Sequence, residues 1–249
     1  MIGLRSLLFN VLFYAWSGLV QVACLPVLAL PREGPIAAGR LWSRVTLAML
    51  AGICGLRHEI RGLANLPEGP CIIASKHQSA WDTLIFHLLV PGPSFVFKRE
   101  LMWVPLFGWY LMRAGCIPVD RAGGAKALRA LVDRARRAVA HGQSIVIFPE
   151  GTRVAPGRRR PYHPGTAALY VQLGVPVVPV AVNSGLFWGR RSFRKEPGRI
   201  TLEFLPPIPP GLPRRAFAAE LERRIETASQ RLLAASAPAA AGDARHACG

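Results

Sequence analysis

From about residue 57 the sequence alternates short apolar runs with longer helix-compatible stretches, and this alternation restricts the possible folds more than any other feature. The β-like runs are Cys71–Ala74, Ser94–Lys98, Cys116–Val119, Ser144–Phe148, Val177–Val182 and Ile200–Leu205. Helix-compatible stretches at Trp81–Val90, Val104–Ala114, Ala125–His141 and Thr166–Leu173 lie between most of them. Strands that alternate with helices build a layered α/β domain, with helices flanking a largely parallel central sheet. In such sheets reactive groups gather beyond the carboxyl ends of the strands. His77, Lys98, Arg121, Glu150 and Asn183 each follow an expected strand end, which groups them on one rim. Val175–Val180 carries Pro176 and Pro179, and prolines argue against a fully paired central strand there.

The N-terminal part is different in kind. Leu7–Leu30 is almost wholly apolar between Arg5 and Arg32, and crossing a bilayer takes about 20 helical residues. Its length, and the lack of a small-x-small cleavage site after it, favour a retained anchor over a signal peptide. Leu41–Leu56 is shorter and carries Arg44, which suits an interfacial or re-entrant helix; burial of both segments in a core is the competing reading. The expected organisation is therefore membrane-associated helices over 1–56, an α/β domain over 57–235 and a small, Ala-rich disordered tail over 236–249. Within the domain, Arg214–Ala235 reads as an amphipathic helix after the Pro-rich Pro206–Pro213.

Charge narrows the partners. The 249 residues hold 31 Lys and Arg against 14 Asp and Glu, a formal net charge of +17. Such a balance attracts anionic headgroups, phosphorylated molecules or nucleic acid. No zinc-finger spacing or RNP-like aromatic motif is present, so nucleic acid is the weaker partner. Lys occurs only at positions 76, 98, 126 and 195; genomic base composition is an alternative source of so strong an Arg bias, so not every Arg is read as a contact. The Arg-rich sequence after the anchor places the body of the protein on the cytoplasmic side, at a bacterial inner membrane. Five scattered cysteines without paired spacing argue against a metal site or a disulfide scaffold.

Four stretches carry candidate chemistry. His77 precedes Asp82 by five residues, and five residues along an α-helix rotate about 140° beyond a full turn, so the pair cannot share a helical face. With His77 in the turn before a helix and Asp82 in its first turn, the imidazole folds back onto the carboxylate, and the other ring nitrogen is left free as a base. The alternative is a helix start capped by Ser79 and Asp82, with His77 an ordinary loop residue. Gly115–Arg121 runs a strand into an Asp–Arg pair, Lys98–Glu100 follows another strand, and Phe148–Arg153 joins a strand end, a Gly turn, a hydroxyl and a guanidinium. Singly, each has a structural explanation, such as Arg121 pairing with Asp120. Of the other histidines, His87 suits packing, His141 a helix end, and His163 lies near Glu150–Arg153.

In order, His77-x4-Asp82, Gly115-x5-Arg121, Phe148-Pro-Glu-Gly-Thr-Arg153 and Val175-Pro-Val-Val-Pro-Val180 resemble the four motif blocks of the 1-acylglycerol-3-phosphate O-acyltransferases, over Leu63 to Ile208. The paired N-terminal segments are similar to that family's membrane-seated helices, in which case the first lies within one leaflet. Lys76 departs from the pattern, which often has Asn before the His, and this puts one supporting hydrogen bond in doubt. The resemblance implies acyl transfer from a thioester, acyl-CoA or acyl carrier protein, to the sn-2 hydroxyl of lysophosphatidic acid, giving phosphatidic acid, with no metal or resident cofactor. It makes His77 the general base and Asp82 its orienting partner. Arg121 and Arg153 then offer forked bonds to the acceptor's phosphate, and Lys98 a point charge. Glu150 orders the arginines or contacts the glycerol, Gly151 admits close backbone approach, and Thr152 joins the substrate-binding set. The other readings are the same chemistry on another lysolipid, such as a lyso-ornithine lipid, and a non-catalytic anionic-lipid-binding membrane protein.

Overall fold

A computed structural model describes residues 1–236; the expected tail falls outside them except for Ser236. Seven strands form one sheet: β1 (Leu56–Arg61), β2 (Ile72–Ser75), β3 (Ser94–Lys98), β4 (Ile117–Val119), β5 (Ile145–Ile147), β6 (Val177–Val182) and β7 (Gly198–Phe204), in the order β1-β7-β6-β2-β5-β3-β4. Every pairing is parallel except β6 with β7. The helices are α1 (Ile2–Ala23), α2 (Glu33–Cys54), α3 (Trp81–Leu89), α4 (Phe107–Arg113), α5 (Gly124–Ala140), α6 (Pro164–Leu173) and α7 (Arg214–Ser236). All six expected strands occur, and the largely parallel α/β sheet flanked by helices is the architecture observed.

β2, β5 and β6 are buried along their whole length, because helices cover both faces of the sheet and leave no solvent side that polar residues could occupy. Alternate side chains divide between two cores. Ile73, Val146 and Val178 pack with Leu50 of α2 and Ile85 and Phe86 of α3. Ile72, Ile145 and Val177 pack with Leu131 of α5, Leu169 of α6 and Leu221 and Ile225 of α7.

Three expectations are corrected. β6 is central and paired on both sides, to β2 and to β7. It tolerates Pro179 because the partner chain slips there: Val180 stands opposite Phe204 but Val177 opposite Ile208, three residues against four. The missing N–H falls in that irregularity, while the Pro179 carbonyl still accepts from Leu205 N–H at 2.9 Å. Second, α4 is shorter than Val104–Ala114. A 3-10 turn over Arg99–Trp103 precedes it, and Pro105 holds Val104 extended. Third, Leu7–Leu30 is not one helix. Cys24 caps α1, Pro26 opens a 3-10 turn over Leu25–Ala29, and α2 turns back to pack on α1.

Leu47, Leu50 and Cys54 of α2 are buried in the same core as the sheet. The stretch expected as an interfacial helix therefore supplies core, and Phe9 of α1 joins it. The opposite side of α1 exposes Leu4, Leu7, Leu8, Val11, Leu12, Leu19 and Val22. By length and composition α1 alone, among the described helices, is apolar enough to cross a membrane.

Candidate active site

β2 ends at Ser75, and the chain leaves the sheet through residues 76–80 into α3, whose first turn carries Asp82. Asp82 is fully buried. Its Oδ2 accepts the N–H groups of Gln78 (2.7 Å) and Ser79 (2.8 Å) and lies 3.0 Å from His77 Nδ1, and its Oδ1 accepts the Ser184 hydroxyl. The carboxylate thus ties down the backbone before the helix, as the second sequence reading has it for Asp82, and also holds the imidazole, as the first has it. An acceptor at Nδ1 places the ring proton there, so Nε2 keeps its lone pair. The ring stacks on Phe148, with centroids 3.9 Å apart, and lines a cavity of about 1090 Å³.

The loop after β5 clamps His77 through its backbone. Glu150 Oε2 accepts His77 N–H at 3.1 Å, and Val154 N–H donates to the His77 carbonyl at 2.8 Å. This corrects the expectation for Glu150. Its carboxylate is buried and turned away from the cavity, and Oε1 pairs with Lys76 Nζ at 2.6 Å, so it orders neither arginine. Burial pushes the Glu150 carboxyl up from its ordinary pKa, and Lys76 opposes the rise.

Lys98, Arg121, Thr152 and Arg153 line the cavity together with Gly151 and His163. Asp120 is held by Arg99 at 3.1 Å and by Ala122 N–H, which leaves Arg121 no ion pair among the described residues. Burial lowers the pKa of both Arg121 and Arg153, but from so high a value that both stay cationic. Lys98 is exposed and shared with Glu100 at 3.1 Å. Asn183 does not reach the cavity: its amide binds Thr201 N–H and the Ser236 hydroxyl. His87 is a packing residue beside Phe95, and burial pushes its pKa down to about 4.

Gly151 has φ +66, and a Cβ there would lie 2.6 Å from Cδ2 of His163. The close approach expected at this glycine is therefore made by an imidazole. Left-handed backbone costs an L-residue about 1–2 kcal/mol. Gly151→Ala is expected to lower the melting temperature by roughly 2–8 °C and to displace His163; thermal unfolding of the purified protein measures the first effect.

The cavity has two characters. Arg121, Arg153, Lys98 and Arg190 contribute cationic lining, while Phe13 of α1, Trp42 of α2, Leu84, Phe95, Phe107 and Leu111 contribute apolar lining. An imidazole with a free nitrogen, cationic side chains and apolar lining suit proton removal from an anionic amphiphile. Sequence reasoning missed Ser184, Arg190 and the Lys76–Glu150 contact. The strand ending just before Ser184 was the one signal available for that residue.

The model of a family described as Acyltransferase matches residues 57–183. The 1-acyl-sn-glycerol-3-phosphate acyltransferase of Pseudomonas aeruginosa is 39% identical over 186 residues, covering 74% of this chain and 72% of that protein. The enzyme of the same name from Limnanthes alba is 32% identical, covering 78% of this chain and 68% of that protein. A crystal structure of the 1-acyl-sn-glycerophosphate acyltransferase of Thermotoga maritima shares the fold, with a TM-score of 0.78 at 22% identity, over 94% of this chain and 98% of that one. The family match spans His77, Asp82, Arg121 and Glu150–Arg153, and the chain belongs to the 1-acyl-sn-glycerol-3-phosphate acyltransferase family.

Proposed function

We propose that this acyltransferase moves a fatty acyl group from a thioester, acyl-CoA or acyl carrier protein, to the sn-2 hydroxyl of lysophosphatidic acid, giving phosphatidic acid. The observation that carries the reading is the His77–Asp82 pair, 3.0 Å apart, on a cavity lined by both cationic and apolar side chains. His77 Nε2 takes the hydroxyl proton as the oxygen attacks the thioester carbonyl. The tetrahedral intermediate collapses, the C–S bond breaks, and the imidazolium returns its proton to the leaving thiolate. Asp82 fixes the tautomer and stabilises the imidazolium. The nucleophile belongs to the acceptor, so no serine acyl-enzyme is needed.

Arg121 and Arg153 bind the acceptor's phosphate, with Lys98 and the Thr152 hydroxyl beside them, and the apolar lining takes an acyl chain. The exposed apolar side of α1 seats the protein in one leaflet of the inner membrane from the cytoplasmic side. Ser6, Phe9 and Val20 tie α1 to the body near both its ends, so it does not stand clear as an isolated span. Substrate and product then never leave the bilayer.

Removing a hydrogen bond to a charged group costs about 1.5–3 kcal/mol, and each 1.4 kcal/mol is a factor of about ten. Arg153→Ala is therefore expected to raise the apparent KM for lysophosphatidic acid at least about tenfold. Steady-state kinetics with varied acceptor measures it; an unchanged KM removes Arg153 from the phosphate site. Parallel assays with acyl-CoA and acyl carrier protein identify the donor.

A further inference from the structure

Glu226 lies on α7, outside every motif, yet it joins the most buried ionic cluster among the described residues. Its Oε1 accepts from Lys76 Nζ at 2.7 Å and from the Tyr162 hydroxyl at 3.0 Å, and Arg159 approaches Oε2 at 3.8 Å. Lys76 is 1% exposed and also binds Glu150 Oε1 at 2.6 Å and the Arg158 carbonyl at 3.3 Å. Glu150 Oε2 holds His77 N–H at 3.1 Å. An unbroken chain of contacts thus runs from α7 through Glu226, Lys76 and Glu150 to the backbone of the proposed base.

Docking of α7 has an apolar basis besides these charges. Phe217, Leu221 and Ile225 already bury it against the sheet. A buried ion pair recovers little more than its desolvation cost, so stability is a weak reason for two carboxylates to share one ammonium here. What the charges supply is position: a lysine on a four-carbon stem has many rotamers, and a second carboxylate selects one.

We infer that Glu226 is a positioning residue for acyl transfer. By holding Lys76 it fixes the Glu150 carboxylate that holds His77, so α7 sets where the imidazole stands. The inference rests on the reading of His77 as the base.

The test uses the full chain in detergent with an acyl thioester and lysophosphatidic acid, and reads kcat per folded molecule together with acceptor KM. Displacement of about 1 Å costs up to roughly 10²-fold in rate; Glu226→Leu is expected to lower kcat about tenfold or more, with acceptor KM within about twofold. Glu226→Gln keeps an oxygen that accepts from Lys76 and is expected to recover most of the loss. Lys76→Met combined with Glu226→Leu is expected to be no slower than the slower single variant, as members of one unit behave. If Glu226→Leu does not fold, Glu226→Asp withdraws the carboxylate by one methylene and is expected to lower kcat several-fold. Wild-type kcat in these variants, multiplicative losses in the double variant, or a Gln variant no better than Leu overturns the inference. His77→Ala in the same assay separates the two claims: if it stays active, the base assignment itself fails.

Discussion

His77→Ala is expected to lower kcat by about 10²–10⁴-fold, the usual contribution of a positioned general base, with the apparent KM for the acceptor near that of wild type. The expectation follows from where the ring sits. Asp82 at 3.0 Å and the Phe148 ring, with centroids 3.9 Å apart, fix the imidazole on two sides, and the residue lines the cavity. The residues proposed to bind the phosphate, Arg121 and Arg153, lie on other loops, so acceptor binding is expected to survive the loss of the ring. The fold survives as well: the side chain sits at the end of a loop whose backbone is held by Glu150 and Val154. Residual activity reports what positioning and charge do without the base. A kcat within about threefold of wild type would remove His77 from proton transfer, since even the low end of base catalysis exceeds it.

Asp82→Asn is expected to be nearly as severe. The carboxylate receives four donors: His77 Nδ1, the N–H groups of Gln78 and Ser79, and the Ser184 hydroxyl. Asparagine has one acceptor oxygen and an NH₂ group, so an N–H must face another donor at this fully buried position. If the NH₂ faces His77, it forces the other tautomer and consumes the lone pair needed for the reaction. The equivalent change in a Ser-His-Asp triad costs about 10⁴-fold in kcat, and a similar loss is expected here. The unmatched donor adds a stability cost of about 1–3 kcal/mol. Kinetics and thermal unfolding of the variant read both effects. A folded Asp82→Asn variant within about tenfold of wild type would show that His77 does not need its partner's charge.

Much of the sheet was legible because its strands are buried on both faces, and the burial requires unbroken runs such as Ile72–Ala74 and Ile145–Ile147. β1 was illegible for the opposite reason. It is an edge strand written Leu-Arg-His-Glu-Ile-Arg, and polar edge residues carry no strand signal. Pro179 misled because a proline's cost depends on whether a partner awaits its N–H, and the one-residue slip opposite it exists only in three dimensions. In the site, the expected end of β2 placed His77 in a turn, and the five-residue spacing ruled out a helical face shared with Asp82. The direction of Glu150 could not be read. A carboxylate three residues from Arg153 in sequence is drawn instead to Lys76, which lies at the exit of the neighbouring strand. Glu226 stands 150 positions from Lys76 and looks, in sequence, like one more charge on an amphipathic helix. Ser184 was hidden for the same reason: only the sheet brings the end of β6 against the start of α3.

The most direct test of the account is acyl-thioester consumption by the wild-type protein in liposomes, with and without lysophosphatidic acid, beside His77→Ala. The account predicts consumption only when lysophosphatidic acid is present, phosphatidic acid formed in equal amount, and loss of both in the variant. Thioester loss that ignores the acceptor, equal turnover by the variant, or no turnover by folded wild-type protein would contradict it.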